Sequence, residues 1–168
     1  MSSFQFIIPF NKISIQDLPL VGGKNASLGE MFNQLNPRGV QIPDGFALNA
    51  NAYRLFRKQN MIEEKLNKLL LNLDTGNFSN LSDIGSQARE LIIRSQLPEL
   101  IIQECKKAYT DLCKSAGNET LDVAVRSSAT AEDLPTASFA GRMESYLNIS
   151  GEDQLLEAIH KCYVSLFN

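Results

Sequence analysis

The sequence predicts an α+β fold that is helix-rich with short strands, and three features of its 168 residues carry that reading. Apolar residues recur at helical spacing through much of the chain. Short apolar runs near both ends, FQFIIPF at 4–10, VAV at 123–125 and SYLNI at 145–149, have strand character. Strands and helices follow one another without a regular strand–helix–strand rhythm, which argues against a parallel α/β sheet.

Each element can be justified in turn. Pro9 lacks an N–H for a ladder, so the first strand is expected at a sheet edge. Gly22-Gly23 breaks the chain, Asn25 or Ser27 is expected to cap a helix, and Leu28, Met31, Phe32 and Leu35 form its apolar stripe. Asn36-Pro37 ends that helix, and Gly39 allows the turn. IPDGFALN reads as a turn and short strand leading into a helix near NAYRLFRKQN. Residues 61–116 are expected to be mainly helical, with NLDTGNFSN at 72–80 as a connecting loop. After Pro98, the residues Ile101, Cys105, Ala108 and Leu112 line one face, so Cys105 is expected to be a packing residue. DVAVR and SYLNI are expected to pair as a hairpin. Ser150 and Asp153 resemble a capping box ahead of a last helix striped by Leu155, Ile159, Cys162 and Leu166.

Composition bounds the function. With 43% apolar and 21% charged residues, one domain spanning 1–168 can bury a real core. A net charge of −3 leaves no basic excess to neutralise phosphates along a nucleic acid, so no nucleic-acid partner is expected. No apolar run approaches a membrane span and no basic leader opens the chain, so the expectation is a cytoplasmic protein without a membrane partner. Cys105, Cys113 and Cys162 have neither metal-ligand nor redox-motif spacing and read as reduced core residues.

Two stretches carry chemistry. In GGKNASLG, 22–29, paired glycines, Lys24 and a helix N-terminus could converge on one phosphate, because N–H groups, helix dipole and ammonium all favour an anion. It is not a Walker A loop, which would need glycine where Leu18 stands and Ser or Thr where Asn25 stands. A glycine-rich turn before a surface helix fits the same residues. The second stretch is RSSATAEDLPTASFAGRMES, 126–145. Arg126 keeps its charge, so at a strand end it either pairs with a carboxylate, Glu132 and Asp133 being local candidates, or forks onto a phosphate. The hydroxyls of Ser127, Ser128, Thr130, Thr136 and Ser138, and the small Ala137, Ala140 and Gly141, suit a loop folding over a polyphosphate. A purely structural loop of this length is unusual inside a compact domain. The residues leave both readings open. His160, the one histidine, reads as a core-edge or surface residue, and EEKLNK at 63–68 and CKK at 105–107 read as solvated helix faces.

VGGKNASLGEM at 21–31, IPDGFALN at 42–49 and above all VRSSATAEDLPTASFAGRMESYLNISG at 125–151 resemble the N-terminal nucleotide-binding region of the phosphoenolpyruvate synthase family, in the wider group of pyruvate phosphate dikinase and rifampicin phosphotransferase. The resemblance runs from about residue 10 to the last residue. It implies the first lobe of an ATP-grasp-like domain. Lys24 and Arg126 are implied to hold ATP phosphates, and ASFAG at 137–141, with Ser138, Ala140 and Gly141, is implied to be the lid over them. It implies ATP and Mg²⁺ as cofactors, the metal ligands lying outside this chain, and no catalytic residue within it. The second lobe, the phosphohistidine domain and the pyruvate domain are expected to be absent. The implied reaction, ATP + pyruvate + water to AMP + phosphoenolpyruvate + phosphate, is a transferase (kinase) step of gluconeogenesis, and this chain is not expected to perform it alone. Two alternatives are the lobe of a rifampicin-type phosphotransferase and a non-catalytic remnant that binds nucleotide weakly or not at all. Arg142-Met143 stands where the resemblance implies a glutamine pair. Self-association through the exposed lobe face is also expected.

Overall fold

The structure, a computed structural model, describes residues 5–130 and 144–167 and, between them, the backbone of 133–134 and 137–138. It is α+β. Strand β1 (Ile7–Pro9) pairs antiparallel with β2 (Phe46–Leu48), Ile7 facing Leu48 and Pro9 facing Phe46. In a two-stranded sheet every strand is an edge, which is where Pro9 was expected. The Glu104 carboxylate accepts hydrogen bonds from the Gln5 and Phe6 N–H groups at 2.9 and 2.8 Å, tying the strand to helix α6 (Glu99–Ser115).

Two helices come between β1 and β2. The short α1 (Leu18–Val21) has no counterpart in the sequence reading, and α2 spans Gly23–Leu35. Gly22, and neither Asn25 nor Ser27, is the N-cap of α2. At φ 79° it adopts a backbone conformation that favours glycine, so the helix starts three residues earlier than a cap at Asn25 would dictate. Its buried face is the small-residue set Gly23, Ala26 and Gly29, not the stripe Leu28, Met31, Phe32 and Leu35. The cause is close packing: a Cβ on Gly29 would lie 2.5 Å from Ile13 Cβ. Ile13, Val21, Ala26 and Ala47 form a buried cluster there.

Helices α3 (Ala50–Gln59), α4 (Ile62–Leu70) and α5 (Leu81–Ile93) follow. Asn49 caps α3 through its side-chain oxygen, accepting from the Asn51 and Ala52 N–H groups. The main core gathers Phe6, Ile7, Ile101, Cys105, Tyr109, Leu155 and Ile159, and a second cluster joins Phe56, Ile62 and Ile92. Cys105 is a packing residue as expected, but the buried stripe of α6 turns onto Tyr109 and Cys113, leaving Leu112 half-buried.

Strand β3 (Asp122–Arg126) pairs antiparallel with β6 (Ser145–Ser150), the expected hairpin. Between them lie the two-residue strands β4 (Asp133–Leu134) and β5 (Ala137–Ser138), paired with each other. Val123 opposes Ile149 while Val125 opposes Tyr146, so β6 carries an extra residue there, with Asn148 in the left-handed region at φ 55°. Val123 and Val125 pack on the core, and by the two-residue period Arg126 stands on the exposed face.

Helix α7 (Glu152–Ser165) closes the domain. Its N-cap is Gly151, not the Ser150–Asp153 capping box; the Asp153 carboxylate lies 3.8 Å from Lys106 Nζ, which also pairs with Glu152 at 3.3 Å. Lys106 therefore ties α6 to α7 from a partly exposed position on the helix face. Leu166 falls beyond the helix and is exposed, so the stripe ends at Ser165.

One buried hydroxyl fixes the open end of the hairpin, away from its connecting loop. Tyr109 donates to the Leu121 carbonyl at 2.8 Å and accepts from the Leu121 N–H at 3.2 Å and the Gly151 N–H at 2.8 Å. Tyr109→Phe strands these backbone groups and is expected to cost about 2 kcal/mol in urea denaturation, where a neutral result would contradict the tie. Burial pushes the Cys105 and Cys162 thiols up to about 12. Both should resist a disulfide reagent at pH 8 in the native chain and react at once in denaturant, because the thiolate is the nucleophile.

Candidate functional site

Lys24 and Arg126, far apart in sequence, line one hollow of about 260 Å³ together with Asn25, Leu28, Ser127 and Ser128. Two segments build it. Lys24, Asn25 and Leu28 lie on one side of the first turns of α2, and Arg126–Ser128 is the end of β3 with the two residues after it.

The segments meet because Gly22 has no side chain. A Cβ there would lie 2.4 Å from Ser128 Oγ and 2.5 Å from the Ser128 carbonyl oxygen. With that space open, Ser128 Oγ accepts from the Asn25 N–H at 3.3 Å, across 103 positions of sequence. This bond supplies from a distant segment the cap that Asn25 and Ser27 do not give, while Asn25 Nδ2 donates back to the Val21 carbonyl at 2.9 Å. On its buried face α2 packs through Ala26 into the cluster with Ile13, Val21 and Ala47.

The electrostatics of the hollow are one-sided. Among the described residues its lining includes a lysine and an arginine and no carboxylate, and the first turn of α2 carries no acidic residue against the positive end of the helix dipole. Arg126 is exposed and makes no ion pair or hydrogen bond with a described residue. An anion placed between the ammonium and the guanidinium would be attracted by both. Chemically the described lining can hold an oxyanion: a guanidinium fork, an ammonium and hydroxyls.

Ser138 enters the description only through its backbone in β5, opposite Asp133. Ala140, Gly141 and Arg142-Met143 lie outside the described residues, as does Glu132. The hollow does not fit Mg²⁺, a hard cation that takes oxygen ligands led by carboxylates. Among the described residues no group of three His, Cys, Asp or Glu could hold a metal. His160 sits at the core edge as expected; its Nε2 lies 2.8 Å from the Ile92 carbonyl oxygen, which only accepts, so Nε2 carries the proton. Sequence reasoning found Lys24 and Arg126 but gave Ser128 no distinct role. The only signal for it was the glycine pair, whose partner no local pattern names.

Residues 18–168 match the family described as pyruvate phosphate dikinase, AMP/ATP-binding domain. The chain belongs to this family. Among its curated relatives are phosphoenolpyruvate synthases of Synechocystis sp., 46% identical over 96% of this chain, and of Neisseria meningitidis, 44% identical over 97% of it. A probable phosphoenolpyruvate synthase of Methanocaldococcus jannaschii is 41% identical over 98% of the chain. The chain spans 20% of the first two relatives and 14% of the third. A likeness covering nearly all of this chain places the hollow wholly inside the AMP/ATP-binding domain family's matched region.

Gly22→Ala should separate the two segments, through both the clash with Ser128 and the positive φ. The expected loss is roughly 2 kcal/mol or more in thermal or urea unfolding, and a fully stable variant would show that the contact at Gly22 does not hold them.

Proposed function

We propose that this chain is the phosphate-holding lobe of the ATP site of a phosphoenolpyruvate synthase. The observation that carries this reading is the hollow shared by Lys24 and Arg126 in a member of the AMP/ATP-binding domain family. Arg126 would fork onto two oxygens of the nucleotide's phosphate tail, and Lys24 would contribute a point charge from the first turn of α2. The exposed position of both side chains lets a polyphosphate enter without unfolding either segment. The described hydroxyls at 127–128 lie at the inner edge of the same space.

In this reading Ser138, Ala140 and Gly141 belong to a lid that donates backbone N–H groups to the phosphates. The lobe is ATP-grasp-like, and the adenine contacts and Mg²⁺-binding carboxylates are supplied from outside this chain. ATP would phosphorylate a histidine elsewhere in the full enzyme, which would pass the group to pyruvate and give AMP, phosphoenolpyruvate and phosphate. His160 is not that histidine, since its Nε2 is engaged with the Ile92 carbonyl. Phosphoryl transfer of this kind rests on positioning and charge stabilisation. This lobe contributes both and none of the bond-making groups, so it is not active alone. The three buried free thiols support a reducing, cytoplasmic setting. No helix among the described residues is long and apolar enough to cross a membrane. Exposed Leu71, Met61 and Phe78 support self-association of the isolated lobe.

Calorimetric titration with ATP tests the reading. Lys24→Ala and Arg126→Ala are each expected to weaken binding about 10- to 100-fold, the worth of a charged hydrogen bond. Equal affinity in the wild type and both variants, or no binding in any, would overturn it.

A further inference from the structure

The two serines after Arg126 look interchangeable in sequence, but the structure gives them different work. Ser128 Oγ is engaged, accepting from the Asn25 N–H and packing onto Gly22. Ser127 is 9% exposed, and its Oγ is buried with no hydrogen-bond partner among the described residues. Buried side-chain hydroxyls are normally paired, and one left unpaired is held at a cost in stability. Nothing among the described residues repays it. Yet Ser127 lines the same hollow as Lys24, Arg126 and Ser128.

We propose that Ser127, and not Ser128, supplies the hydroxyl that hydrogen-bonds to a phosphate oxygen in this hollow, while Ser128 joins the two segments of the site. The inference rests on the reading of the hollow as a phosphate site. It adds a ligand-contacting residue and the class of ligand atom, a terminal oxygen of a tetrahedral phosphate. The movement required is small. The Ser127 hydroxyl is sealed from solvent, and rotation about a single staggered torsion turns it from one well to the next. Once turned, it donates to the phosphate oxygen beside the Arg126 fork. Placing the donor on the residue that follows the arginine keeps both on one short, strand-anchored segment, so they move together.

The two serines should therefore give opposite results when each is replaced by alanine. Ser127→Ala removes an unpaired buried hydroxyl, so the melting temperature of the ligand-free chain is expected to stay the same or rise. Its affinity for ATP and for inorganic tripolyphosphate should fall about 5- to 10-fold, the worth of one hydrogen bond. Ser128→Ala removes the Asn25 cap and should lower the melting temperature of the ligand-free chain. Thermal unfolding and calorimetric titration of the whole chain, with Lys24→Ala and Arg126→Ala alongside, read both effects. If the wild type binds with dependence on Lys24 and Arg126 but Ser127→Ala binds as tightly as wild type, this inference fails and the phosphate site stands. If Ser127→Ala melts as low as Ser128→Ala, the hydroxyl has a structural role and the inference fails. If tripolyphosphate and ATP do not bind the wild type, or bind all four variants equally, both readings fail.

Discussion

The site depends on one contact, the approach of the Gly22 backbone to Ser128. It brings a helix N-terminus against the end of a strand that lies more than a hundred residues later, and it does so at a distance that no residue with a Cβ allows. Two other features follow from it. Helix α2 takes its cap from Ser128 and so needs none from its own first turn. Lys24, two residues after Gly22, is delivered to the mouth of the same space as Arg126, two residues before Ser128.

The rest of the fold serves to hold the two sides of that contact rigid. On one side, α2 lies close on Ile13 through Gly29 and Ala26, a small-residue face that fixes its height above the β1–β2 sheet. On the other, the β3–β6 hairpin has only two strands and cannot hold its own direction by sheet pairing alone. It is fastened at its far end by the Tyr109 hydroxyl and along its inner face by Val123 and Val125 packed on the main core. Arg126 then projects outward because strand residues alternate faces.

Much of this was legible in the sequence, and what was missed has physical causes. The hairpin, the edge character of β1 and the packing role of Cys105 follow from local rules of period and proline chemistry. Lys24 and Arg126 were legible because a lysine after paired glycines and an arginine after an apolar strand are each locally odd. The start of α2 was misread because its cap lies 103 positions away. Its apolar stripe was misread because hydrophobicity ranks Leu28, Met31 and Phe32 above glycine, whereas close packing chose Gly23, Ala26 and Gly29. The Ser150–Asp153 capping box gave way to Gly151, whose φ of 84° sets the N-cap, with the Ser150 N–H taken by Gln154 Oε1. The division of labour between Ser127 and Ser128 has no sequence signature at all.

Amide NMR of the chain titrated with inorganic tripolyphosphate tests the central claim most directly. If α2 and the end of β3 form one anion site, the amides of Gly23–Asn25 and of Arg126–Ser128 shift together and saturate at a common midpoint. Shifts confined to one of the two segments, or midpoints that differ between them, would contradict a shared site.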